Sequence, residues 1–109
     1  MHWIYAHLIG DFLLQTDWMA RKKKQNSWVC LTHVLTYLVP FLLTPFDWWQ
    51  LLLIGIQHFL QDRTDIVVWF MEKTGKSEFT RPPTAPWSII LVDSILHILF
   101  IMLIEKMAL

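Results

Sequence analysis

The 109-residue sequence is poor in charge, cysteine and glycine, and each shortage removes a class of protein. Nine Lys and Arg balance nine Asp and Glu, so no excess positive charge is available to draw a polyanion. A nucleic-acid partner, which requires a basic footprint, is therefore not expected. Charged residues make up 17% of the chain, below the roughly 25% of ordinary globular domains, while 55% of residues are apolar. Cys30 is the only cysteine, which excludes a disulfide within the chain. Lying in an apolar run, it reads as a small hydrophobe. The length allows one domain at most.

Charge is not only scarce but absent from long stretches. Residues 25–46 contain no Asp, Glu, Lys or Arg, and residues 82–104 contain only Asp93. About 20 residues suffice to cross a bilayer. A soluble four-helix bundle would need a polar outer face on every helix, and residues 27–43 carry no charge to make one. The expectation is an all-α, integral-membrane four-helix bundle, a single transmembrane domain over residues 1–109 with spans near 3–20, 27–43, 47–70 and 87–104. The first span is not expected to be a cleaved signal peptide, because its positive cluster, residues 21–24, follows the apolar segment instead of preceding it. Arg21, Lys22, Lys23 and Lys24 in one loop and Lys73, Lys76 and Arg81 in another stand against Lys106 alone at the opposite end. By the positive-inside rule both loops are cytoplasmic and both termini outside. Trp3, Trp48 and Trp49 then fall at the outer boundary, and Trp18, Trp28, Trp69 and Trp87 at the inner one. Ser27 is placed as a helix cap, and Thr44, Pro45 and Asp47 as the capping start of the third helix. Gly75 ends that helix, and Gly10 allows two helices to approach closely.

What the apolar segments do contain is a set of histidines and aspartates at helical spacing. His7 and Asp11, His58 and Asp62, and Asp93 and His97 are each four apart, which puts both members of a pair on one helix face. His33 adds a fourth imidazole. Ionisable groups in such surroundings face inward, because exposing a charge to lipid costs at least about 2.5 kcal/mol. Counting helical rise from the inner tryptophans sets the three aspartates in one layer and His7, His58 and His97 in the next.

Imidazole and carboxylate together suit a divalent transition metal, zinc first, with manganese, iron or nickel as alternatives. The metal-ligand pool is His7, Asp11, His33, His58, Asp62, Asp93 and His97. Asp62 and Asp93 are the candidate catalytic residues, since ligands in excess of one ion's needs leave a carboxylate free as a base. The competing account is that the pairs are hydrogen bonds holding helices together. Gln15, Gln57 and Gln61 read as orienting or packing residues, and residues 21–24 as a topology signal.

The run His7-Leu8-Ile9-Gly10-Asp11-Phe12-Leu13-Leu14-Gln15-Thr16-Asp17-Trp18-Met19-Ala20, followed by basic residues, resembles the opening of a family of small bacterial and phage integral-membrane proteins known only as a domain of unknown function, number 3307. His33 with Tyr37, then His58-Phe59-Leu60-Gln61-Asp62, then Asp93-Ser94-Ile95-Leu96-His97 resemble its later motifs in order. Ser94 stands where that family commonly has glutamine. The pattern is also distantly similar to bacterial membrane-bound metal-dependent hydrolases. The resemblance implies a multi-pass protein of the bacterial inner membrane. The resulting expectation is a metal-dependent hydrolase acting on a membrane lipid or lipid-linked small molecule, with the loop at residues 73–85 covering the entrance. A small transporter of cations or metals and a non-enzymatic accessory membrane protein are the alternatives, and a homo-oligomer is compatible with each.

Overall fold

The computed structural model describes residues 1–107; the last two residues of the expected domain, and with them the extreme C-terminus assigned to the outside, lie beyond the described residues. The described chain is all-helical. Six α-helices follow one another: α1 Trp3–Leu8, α2 Asp17–Lys22, α3 Ser27–Leu38, α4 Trp48–Arg63, α5 Ile66–Lys73 and α6 Trp87–Glu105. A π-helical turn, Ile9–Leu13, continues α1, and short 3₁₀ turns occupy Pro40–Leu43 and Glu78–Thr80.

This corrects the four-span expectation. Among the described residues only Trp87–Glu105, 19 residues, is both long and apolar enough to cross a membrane by length and composition. The expected span 3–20 breaks at Thr16, which adopts an extended conformation and whose hydroxyl accepts a hydrogen bond from the Met19 amide to start α2. The expected span 47–70 breaks at Thr64, also extended, between α4 and α5. In the second segment α3 ends after 12 residues, where Pro40 brings no N–H for the ladder and the chain tightens into a 3₁₀ turn. Polar residues able to bond their own backbone thus interrupt segments whose apolar content reads as continuous.

The caps shift by a residue or more from their expected places. Asn26, not Ser27, caps α3, its side-chain oxygen accepting from the Trp28 and Val29 amides. Asp47 is the N-cap of α4, with Gln50 reaching back to its amide at 2.8 Å. Gly75, at φ +83°, sits just past α5 in the left-handed conformation glycine tolerates. Gly10 fulfils its expectation, since a Cβ there would lie 2.7 Å from both the Tyr37 ring and the Tyr37 carbonyl oxygen. The π turn therefore lies directly on α3.

A core of Trp3, Ala6, Tyr37, Phe41, Ile54, Ile101 and Ile104 fills one end of the molecule. Trp3 is thus an interior residue rather than a boundary anchor, and its indole N–H donates to the Glu105 carboxylate at 2.6 Å. Most remaining large hydrophobics point outward: Leu13, Trp28, Leu42 and Trp48 are each more than 70% exposed. The imidazoles of His7, His33, His58 and His97 and the carboxylate of Asp62 are, in contrast, among the most deeply buried groups.

Candidate metal centre

Four elements converge on the buried cluster. The π turn brings Asp11, α3 brings His33, α4 brings His58 and Asp62, and α6 brings Asp93 and His97. On α4 the four-residue spacing works as expected, with His58 Nε2 3.0 Å from Asp62 Oδ2. On α6 the Asp93–His97 pair is looser, at 3.6 Å.

The closest donor set is Asp11, His33, His58 and Asp62, all buried, with one ligand atom of each within 4.8 Å of all the others. His33 Nε2 lies 3.0 Å from His58 Nε2, 3.3 Å from Asp11 Oδ1 and 3.1 Å from Asp62 Oδ2. His58 Nε2 is 3.6 Å from Asp11 Oδ1. An ion bound tetrahedrally at about 2.0–2.1 Å requires its ligands to be about 3.3–3.4 Å apart, and the observed separations bracket that value. The set is two imidazoles and two carboxylates, a combination that suits zinc and its first-row neighbours. Asp11 Oδ1 has no hydrogen-bond donor although it is buried, and the Nδ1 atoms of His33 and His58 are likewise unpartnered. A buried carboxylate oxygen left without a donor among imidazole nitrogens calls for a positive partner, a proton on imidazole or a metal ion.

The electrostatics point the same way. Burial works to raise the Asp11 carboxyl, but the imidazoles of His33 and His58 outweigh it and hold the group well below the ordinary carboxylate range. Burial is likewise overridden at Asp62, first by His58 and then by hydrogen bonds from His33, His58 and His97. At His58, burial opposes the charged form, yet Asp62 and Asp11 raise the pKa to about 9. Two carboxylates that stay ionised in a water-poor interior thus demand a positive partner, a proton on imidazole or a metal ion.

His7 stands apart from this set. Its Nδ1 is hydrogen-bonded to the Tyr37 hydroxyl at 2.8 Å and its Nε2 to the Ser94 hydroxyl at 2.9 Å, so both ring nitrogens are occupied. Burial lowers its pKa to about 4 in spite of Asp11. Asp11, carried by the π turn Ile9–Leu13, faces His33 instead, at 3.3 Å. The two-layer arrangement expected from helical rise is also not formed. Asp11 and Asp62 lie among the imidazoles of His33, His58 and His97, at 3.0–3.6 Å.

Lys23 is the member the sequence reading missed. Its ammonium donates to Asp62 Oδ2 at 3.0 Å and to Gln15 Oε1 at 2.8 Å. Burial disfavours its charge, but Asp62 and Asp11 more than restore it, leaving the pKa raised. Within a run of four basic residues nothing distinguished the one that turns inward. Lys24 instead donates to the Asp62 and Thr64 carbonyls at the end of α4.

A cleft of about 390 Å³ is lined by the polar residues Asp11, Gln15, Lys23, Asp62 and Asp93 together with the apolar Phe12, Val67, Val68, Ile89 and Ile90. Of the proline-bearing connection only Pro86 reaches it, so the loop at residues 73–85 does not cover the entrance as expected.

The whole chain, residues 1–109, matches the model of the family described as Protein of unknown function (DUF3307), and the chain belongs to that family. Comparison with curated proteins and with solved structures gave no match.

Proposed function

We propose that this member of the DUF3307 family is a metal-dependent hydrolase that acts on a phosphate or ester bond of a lipid-like molecule at the bacterial inner membrane. The observation that carries the reading is the buried set Asp11, His33, His58 and Asp62, with one ligand atom of each within 4.8 Å of the others, whose two carboxylates line a cleft that is also lined by apolar side chains. Zinc is the ion these ligands suit best, with manganese, iron or nickel as alternatives. A divalent ion in such a place acts as a Lewis acid and makes water a nucleophile near neutral pH.

The chain's own groups supply the rest. Asp62 would hold the ion through one oxygen, and its other oxygen lies 3.1 Å from His97 Nε2. Asp93 stands at the edge of the cleft, partly exposed, with its carboxylate held by the Gln61 amide at 2.9 Å, and is the group placed to take a proton from water. Val67, Val68, Ile89 and Ile90 offer an apolar track for an acyl or isoprenoid chain, with Lys23 beside the carboxylates to meet an anionic head.

The test is hydrolysis of lipid phosphates, lipid esters and isoprenoid phosphates by purified full-length chain in detergent or vesicles. Turnover is expected to vanish on chelation, return with zinc or manganese, and be lost in Asp62→Asn and Asp93→Asn variants that still fold. Metal-loaded protein without turnover on any of these, together with metal flux into proteoliposomes, would replace this reading by transport.

A further inference from the structure

We propose that the centre is built for two ions, the second held by His97, Asp93 and the Oδ1 oxygen of Asp62, so that Asp62 bridges both. The proposal deepens the metal reading above and rests on the first position being a metal site.

The argument begins from hydrogen-bond polarity. The Asp93 main-chain carbonyl is an acceptor only, and the Gln61 side chain lies 2.9 Å from it and 2.9 Å from Asp93 Oδ1 through one nitrogen. Gln61 must therefore present its NH₂ to Asp93, which leaves its oxygen to accept from the Gln57 amide at 2.6 Å. The Gln57 oxygen in turn faces His97 Nδ1 at 3.2 Å. The proton of a neutral His97 is thereby placed on Nδ1, the arrangement by which an outer partner readies the other ring nitrogen for metal.

His97 Nε2 then carries a lone pair, and what it faces are acceptors. Asp62 Oδ1 lies 3.1 Å away and Asp93 Oδ1 3.6 Å away. His97 and Asp62 are each 1% exposed, and Asp93 meets them from the edge of the cleft. Three lone-pair atoms converging in this way call for a cation among them. Asp11 closes the fourth side, with a carboxylate oxygen within 4.8 Å of the His97 and Asp93 ligand atoms.

Ring geometry adds a second, independent argument. His58 and His97 stack with centroids 3.9 Å apart and planes 18° from parallel. Their Nε2 atoms go to different oxygens of the one carboxylate, His58 to Asp62 Oδ2 at 3.0 Å and His97 to Asp62 Oδ1 at 3.1 Å. Ions seated on two such parallel rings are held at about the ring spacing, and paired-metal hydrolytic centres keep their ions about 3.5–4 Å apart. The ligand class is a pair of divalent first-row transition ions that accept mixed imidazole and carboxylate ligands, such as zinc or manganese. The surplus of ligands over the needs of one ion is accounted for.

The experiment is titration of metal-stripped, full-length protein in detergent with Mn²⁺, read as bound ions per chain and by electron paramagnetic resonance. Two bound ions with a spin-coupled spectrum are expected. His97→Gln should reduce binding to one ion with an uncoupled spectrum, and Asp93→Asn, at the more tolerant edge of the cleft, should do the same should the histidine variant fail to fold. Gln57→Leu, which removes the partner that sets the His97 proton, should weaken the second ion by about 10–100-fold and leave the first unchanged. One bound ion in the wild type at saturating Mn²⁺ overturns this proposal and leaves the mononuclear reading standing. No bound ion overturns both.

Discussion

At the residue scale the balance of charge around Asp62 decides what the centre binds. Its carboxylate meets His33, His58, His97 and Lys23, all at 3.0–3.1 Å. The imidazoles become ligands by giving up a proton, whereas Lys23, whose pKa is raised, keeps its charge, and its ammonium stands where it repels an incoming cation. Replacing Lys23 by Met keeps the length of the side chain and removes the charge. Metal affinity is therefore expected to rise, by up to about tenfold, which corresponds to about 1.4 kcal/mol. Every ligand substitution moves affinity the other way, so a metal titration that finds Lys23→Met binding more weakly would show that the ammonium supports the site and does not compete with the ion.

Elements place these residues by how they begin and end. α3 carries His33 and Tyr37, and its start depends on Asn26, whose side-chain oxygen satisfies two amides that the helix itself cannot. Tyr37 then stacks on His58 with centroids 3.8 Å apart and hydrogen-bonds His7, so the register of α3 reaches both α4 and α1. Asn26→Ala is expected to cost about 0.5–2 kcal/mol, seen as a lower denaturant midpoint, with metal stoichiometry retained once the chain is folded. A loss of metal without loss of stability would instead mean that the cap positions the site directly. The π turn Ile9–Leu13 continues α1 and carries Asp11 to 3.3 Å from His33 on α3.

On the scale of the whole molecule, buried ionisable groups coexist with an apolar core and with large hydrophobic side chains on the surface. Imidazoles and carboxylates are inside, while Leu13, Trp28, Leu42 and Trp48 are mostly exposed. A soluble monomer rarely presents more than a few hundred Å² of continuous apolar surface. α6, with 19 residues and a length of about 28 Å, is the one described helix that matches the hydrocarbon thickness of a bilayer. The full chain is accordingly expected to float with phospholipid vesicles in a density gradient and to stay bound at about 1 M salt, where exposed charges are screened within about 3 Å. Release by salt would assign the attachment to the basic residues, and failure to float would reject lipid contact.

The sequence alone was enough for the helical class, the close approach at Gly10 and most members of the buried His/Asp cluster, because i,i+4 spacing of His and Asp on an apolar background states which side chains share a face and must turn inward. Family membership was equally legible, the motif around His7 and Asp11 being continuous in the chain. Helix continuity was not legible: Thr16, Pro40 and Thr64 break the apolar segments by local backbone bonding, which a count of hydrophobic residues passes over. Nor was the sorting of the ligand pool. His7 has the same spacing to Asp11 as His58 has to Asp62, yet one imidazole meets two hydroxyls and the other faces carboxylates. Lys23 enters the site while its neighbour Lys24 bonds helix-end carbonyls, and the polarity of the Gln57–Gln61–Asp93 chain exists only once α4 and α6 are side by side. Spacing along one helix is a local property written in the chain, whereas which donor meets which acceptor across helices depends on their relative rotation and depth, and packing alone sets those.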